Sequence, residues 1–290
     1  MKNPGVSDFF NSKIGAALMT VIALKLFYDG TLFNGFSGGV GSVEYYVRRA
    51  VGKFVSNYVL SKASRTDPGV SAVGNVVSIK FSGTHKLLPS MLNSELPEGV
   101  RAWAWAVVDE DFRARAAVAR TYVYAMPWLH EDIDLMREAA RLFVGEHDLV
   151  NFQVRDKGVP TTVKIYDVEV DRYGNYVMFV IRGKGFRNKM IRKIVNSIRM
   201  VGLGMLSMDE LRSLINAEVR RPIPPAPPYG LLLLNVEYGA REPNWVVDLN
   251  GVSYILNYLN DRFYKMLSIS HVVSRILREF MDIDKLFSRI

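Results

Sequence analysis

Hydrophobic positions along the chain switch between two periods, and the switches mark out the elements. Thr20–Tyr28 is crowded with apolar residues and predicts a buried strand after a leader over residues 1–19. In Val43–Val55 the period becomes helical: Val43, Val47, Ala50, Val51 and Phe54 share one face, and Arg48, Arg49 and Lys53 lie on the other. Leu60–Arg65 and Val73–Phe81 read as strands, Leu88–Glu95 as a short helix closed by Pro97, and Arg101–Val108 as a strand. The resulting order of strand, helix, strand, strand, helix, strand is that of a ferredoxin-like or RRM-like unit.

The second half repeats the theme with different lengths. Ala117–Ala125 predicts a strand, Glu131–Phe143 a helix, and Thr161–Val170 and Tyr176–Ile181 two strands joined by a hairpin turn at Arg172-Tyr173-Gly174-Asn175. Helices follow at Phe186–Val201 and Met208–Asn216, then a Pro-rich linker, Pro222–Pro228, and a last strand, Leu231–Tyr238. Ser253–Leu267 and Val272–Leu286 predict two further amphipathic helices. The pattern therefore divides into an α+β unit over residues 20–115, a second α+β unit over 116–240 and a helical extension over 241–290.

Composition narrows the chemistry. Of 290 residues 49% are apolar, enough for a sizeable core, and the net charge of +8 favours a polyanionic partner. Cysteine is absent, which excludes disulfides, thiolate catalysis and Cys-ligated metals. His85, His130, His147 and His271 are scattered without metal-ligand spacing, so no metal is expected. The apolar run Ile14–Leu24, preceded by Lys2 and Lys13, is too short to cross a membrane and lacks a small-residue cleavage pattern. A cytoplasmic protein is the expectation.

Candidate chemistry centres on Ser64-Arg65-Thr66-Asp67-Pro68-Gly69-Val70. A carboxylate in a turn beside a cationic Arg suits a nucleophile or general base. Asp-Pro-Gly is also ordinary turn chemistry, in which Asp starts the turn, Pro fixes φ and Gly accepts positive φ. The residues alone leave both readings open. In Phe186–Val201 an apolar stripe is opposed by Lys189, Arg192, Lys193 and Arg199. Lys184, Lys189 and Lys193, with Arg48, Arg49 and Lys53, are candidate contacts to a polyanion backbone by their charge.

The stretch SRTDPGVSAVGNVV resembles the active-site segment of the TruA-type tRNA pseudouridine synthases, whose usual form is G-R-T-D-x-G-V-H-A-x-G-x-V. Other segments resemble that family in the same order: Leu24–Gly30, Leu92–Pro97, Phe112–Arg115, Arg120–Tyr124, Gly145–Phe152, Phe186 through Lys193, and Pro225–Leu231 leading into Val236–Tyr238. Ser64, Pro68 and Ser71 depart from the usual residues, as does Asn196, and Ser37–Gly41 replaces a Gln-rich turn. The acid and its Arg remain.

The resemblance implies two sheets joined edge to edge into one central sheet, with helices on one side and a catalytic cleft between two domains. It implies that Asp67 is the catalytic carboxylate, acting on a uridine at the ribose anomeric carbon or by a related covalent or glycal route. Arg65 would help hold the base out of the stack, Tyr122 would stack on it, and Arg192 would pair with Asp67. It also implies tRNA as substrate, with uridines around positions 38 to 40 of the anticodon arm, a homodimer, and no cofactor. A non-catalytic RNA-binding protein on the same scaffold is the rival reading. A ribosyl hydrolase is a weaker one, since it needs a second carboxylate beside Asp67 to activate water.

Overall fold

Two strands are buried along most of their length because both lie inside a sheet. In the computed structural model, which describes residues 19–83, 87–154 and 160–281, these are β1 (Met19–Tyr28) and β3 (Ser71–Ser82). They pair antiparallel with each other, and β1 pairs on its other edge with β4 (Val100–Val108). A hairpin partner, β2 (Tyr58–Lys62), takes the Val77–Phe81 part of the outer edge of β3, and the short β10 (Val246–Val247) extends the sheet beyond β4. Helices α1 (Val43–Gly52) and α2 (Pro89–Asn93) fall where helical spacing puts them. Ser42 caps α1 by accepting from the Tyr45 N–H.

The second half builds the same strand order. β9 (Leu231–Glu237), β5 (Ala119–Pro127), β8 (Tyr176–Gly183) and β7 (Thr162–Tyr173) lie side by side, and β6 (Gly145–Asp148) lines the outer edge of β7. Burial alternates residue by residue along β5 and β8, as expected of strands packed on one face. Helix α3 (Ile133–Arg141) lies against β7 and against α4 (Met190–Gly202), and α5 (Met208–Ile215) adjoins α4.

A parallel contact joins the halves: Ser71 and Ala72 of β3 pair with Leu232 and Leu233 of β9. Among the described residues all strands therefore belong to a single ten-stranded sheet. The seam requires glycine, because a Cβ on Gly74 would stand 2.2 Å from the Leu234 carbonyl oxygen. Register between β5 and β9 slips at the same place, between Thr121 and Tyr122, and Leu234 is left out of the ladder.

Three expectations change. The strand expected over Leu60–Arg65 ends at Lys62, because the edge of β3 it would follow is taken over by β9; Ser64 and Arg65 belong to a loop. Helix α4 begins at Met190 rather than at Phe186, since Lys189 is left-handed at φ 60°. The two helices expected over Ser253–Leu267 and Val272–Leu286 are one, α6 (Leu249–Met281), because Ser268-Ile269-Ser270-His271 contains neither Gly nor Pro to break it. The leader up to residue 18, His85, and the last residues of the second expected helix lie outside the described residues. No helix among the described residues is long and apolar enough to cross a membrane.

Candidate active site

The loop from Ala63 to Val70 leaves the sheet between β2 and β3 and carries Asp67 toward the second half of the molecule. Its tip is a turn closed by the Val70 N–H donating to the Asp67 carbonyl at 3.1 Å, with Gly69 at φ 87° in the position that needs it. Neighbours fix the loop along its length. Phe36 N–H donates to the Thr66 carbonyl, Gly69 N–H to the Gly30 carbonyl, and Gly30 N–H to Ser71 Oγ, all at 3.0 Å. From below, Asn75, fully buried in β3, donates through Nδ2 to the Ser64 carbonyl at 3.2 Å and to Tyr28 Oη at 3.1 Å. Tyr28 Oη is in turn 2.9 Å from Thr66 Oγ1.

Asp67 meets Arg192 across the join. Arg192 Nη1 donates to Asp67 Oδ2 at 2.7 Å, and the two side chains are 11% and 23% exposed, Arg192 being the more buried. Arg192 stands in the first turn of α4, and its Nε donates to the Ala226 carbonyl at 2.6 Å while the Ala226 N–H donates back to the Arg192 carbonyl at 2.9 Å. The Pro-rich segment thus sets the guanidinium in place, and Tyr124 anchors that segment through a 3.0 Å bond from its hydroxyl to the Pro227 carbonyl. Residues 125 positions apart in the chain form one charge-assisted hydrogen bond.

Tyr122 is buried beneath the Asp67 loop, its ring edge-on to Phe186 at 5.5 Å. Burial, opposed by a hydrogen bond with Ser64 and helped by the nearby Asp67 charge, raises its phenol above the usual tyrosine value. Arg65 is exposed two residues before Asp67. The candidates for RNA contact divide. Lys184, Lys189 and Arg49 are exposed; Arg48 is exposed but donates through Nε and Nη2 to Glu44 Oε1, and Lys53 lies 3.7 Å from Glu95. Lys193 does not belong to a solvated basic face. It is buried and its ammonium donates to the Asn151 and Gln153 carbonyls, because the Val150–Phe152 turn covers that arc of α4.

One residue escapes sequence reasoning. Arg120 is buried in β5 and donates to four main-chain carbonyls, those of Ala117 and Lys184 through Nη1 and those of Ala63 and Arg115 through Nη2, at 2.7–3.0 Å. It ties the start of the Asp67 loop to β8 and to the segment joining the halves. The matched run Arg120–Tyr124 marked it without giving a reason. No group of three or more His, Cys, Asp or Glu able to hold a metal occurs among the described residues.

A family model described as tRNA pseudouridine synthase matches residues 139–239. The chain is 44% identical over 217 residues to the tRNA pseudouridine synthase A of Pyrobaculum arsenaticum, covering 74% of this chain and 81% of that one. It is 39% identical to the tRNA pseudouridine synthase A of Archaeoglobus fulgidus, over 76% of this chain and 84% of the relative. The like-named protein of Methanosarcina acetivorans is 35% identical over 90% of this chain and 98% of its own length.

Proposed function

Because the chain belongs to the TruA-type family of tRNA pseudouridine synthases, and is an isomerase of that kind, we propose that Asp67 is its catalytic carboxylate, acting on flipped-out uridines around positions 38 to 40 of the anticodon arm. The observation that carries this is the Asp67–Arg192 pair, a carboxylate on a fixed turn with its orientation held by a guanidinium from the other half of the chain. The reaction breaks the glycosidic bond between the ribose anomeric carbon and N1 of uracil, turns the base and joins the same ribose carbon to C5; C5 releases its proton to solvent and N1 takes one up, so the product is an isomer of the substrate. Every other atom stays in the nucleotide, so no cofactor is consumed.

Roles for the neighbours follow from their chemistry. Flipping a base costs a few kcal/mol, which stacking and cationic contacts must offset. Tyr122 supplies the aromatic floor under the turn, exposed Arg65 reaches the displaced strand, and Arg192 orients Asp67 and then meets the nucleotide. Two ferredoxin-like domains with a cleft between them fit the repeated strand order, β4-β1-β3-β2 and β9-β5-β8-β7. A homodimer and a cytoplasmic location complete the proposal.

Tritium release from C5 of labelled uridine in a tRNA transcript tests it, with the modified position mapped. The wild type should release tritium from the anticodon arm, and Asp67→Asn should lose at least a thousandfold in rate, about 4 kcal/mol of barrier, while still binding tRNA. An active Asp67→Asn protein would overturn the role of the carboxylate. Release from elsewhere in the tRNA would overturn the anticodon-arm assignment.

A further inference from the structure

Helix α6 leaves the body of the protein early in its length. Ile255 is buried, the Arg101 guanidinium lies 3.6 Å over the Tyr254 ring, and Asp29 Oδ2 accepts from Tyr258 Oη at 2.7 Å and sits 3.1 Å from Arg262 Nε. Past Arg262 the helix continues to Met281, and from Phe263 to Leu277 its apolar side chains stand in water; Phe263 is 68% exposed and Ile269 63%. A solitary helix gains little from propensity alone and in proteins depends on burying an apolar face. This one has such a face and nothing of its own chain to cover it among the described residues.

The spacing says what does. Leu259, Phe263, Met266, Ser270, Val273 and Leu277 follow one another at alternating steps of four and three, the a/d repeat of a coiled-coil seam. Asp261, Lys265, Arg275 and Arg278 fall on the opposite arc. The repeat is also symmetric about residue 268, so a second helix laid antiparallel brings Leu277 to Leu259, Val273 to Phe263 and Ser270 to Met266. The flanking positions at the crossing are Leu267 and Ile269, so no like charges meet there. A parallel pair would crowd both globular bodies at one end, and an antiparallel pair sets them at opposite ends.

We infer that α6 is a dimerisation helix that pairs antiparallel with α6 of a second copy of this chain. About eight apolar side chains, each burying on the order of 100 Å², remove about 800 Å² per copy, the size of a standard specific interface. The inference deepens the homodimer proposed above by naming its surface.

Sedimentation of the full chain at micromolar concentration tests it, alongside a double variant, Phe263→Glu with Val273→Glu. The wild type should sediment as a dimer and the variant as a monomer. Because the chain has no cysteine, spin labels at Ser268→Cys or Ser253→Cys report single distances. With helix axes about 10 Å apart, labels at residue 268 fall within about 25 Å of each other, while those at residue 253 lie about 45 Å apart along the helix. A monomeric wild type overturns both this seam and the homodimer. A dimer that survives the double variant overturns the seam alone, and short distances at both sites overturn the antiparallel register. A monomer that co-sediments with anionic phospholipid vesicles would give the stripe to a lipid surface and overturn the pairing.

Discussion

Arg120 shows how one side chain can hold a reactive loop without touching the reacting atoms. Its guanidinium is buried, which pushes its pKa below the usual arginine value, and all four of its described bonds go to main-chain carbonyls. Replacing it by Met keeps the volume and leaves those carbonyls without a donor, at a cost of about 3 kcal/mol or more in unfolding free energy. Urea denaturation should show that loss. The folded fraction should turn over roughly tenfold more slowly, because Ala63, where the Asp67 loop begins, loses its tether. Unchanged stability in Arg120→Met would remove this account. Asp67 was legible because its turn is local and its flanking residues carry a motif. The work of Arg120 was not, since its partners come from Ala63, Arg115, Ala117 and Lys184, and main-chain carbonyls leave no signature in a sequence. Lys193 was misplaced for a related reason: helical spacing assigns it to the polar arc, and only the tertiary position of Asn151 and Gln153 shows that arc to be covered.

Between elements, Glu44 acts as a pin. It lies in the first turn of α1, accepts from Arg48 one turn on through Oε1, and pairs through Oε2 with Lys62 at the end of β2, so helix and strand are clamped just before the Asp67 loop departs. Burial would push its carboxyl up, yet hydrogen bonds from Lys62 and Arg48 override that and hold it down to about 2, from an ordinary 4.5. A carboxylate with a folded pKa below its unfolded one stabilises fully above the unfolded value and loses that contribution as pH falls through the folded one. Stability should therefore fall by about 2 kcal/mol between pH 4.5 and 2 on this account alone, after allowance for the partly exposed Lys62 and Arg48. Thermal melts across that range should show Glu44→Gln less stable than wild type at pH 6 and losing less on acidification; parallel curves would refute the pin. Most elements were readable from periodicity, including the succession of strands and helices along both halves. What periodicity could not give was the seam: the parallel contact of β3 with β9, the close approach at Gly74 and the slip at Tyr122 depend on two edges meeting, and no hydrophobic pattern encodes which edges meet.

For the molecule as a whole, the net charge of +8 matters through where its unpaired cations stand. Arg48 answers to Glu44 and Lys53 to Glu95, and the ammonium of Lys193 is turned inward, whereas Lys184 and Lys189 are exposed with no carboxylate partner among the described residues. Both flank the Phe186 segment that leads to Arg192, so a tRNA placing a uridine over Asp67 passes its backbone close to them. Each phosphate neutralised releases condensed counterions, and the logarithm of the binding constant falls linearly with the logarithm of salt concentration. Lys184→Ala and Lys189→Ala should each reduce the steepness of that line by about one and weaken binding alike for different tRNA sequences. Lys193→Met should leave the slope unchanged, because a buried ammonium has no counterions to exchange. Binding titrations of the three variants over a range of salt separate the possibilities. A slope altered by Lys193→Met and untouched by the other two would mean that the RNA runs along a different face, and the basic residues around Phe186 would then have to be read as a solvated surface.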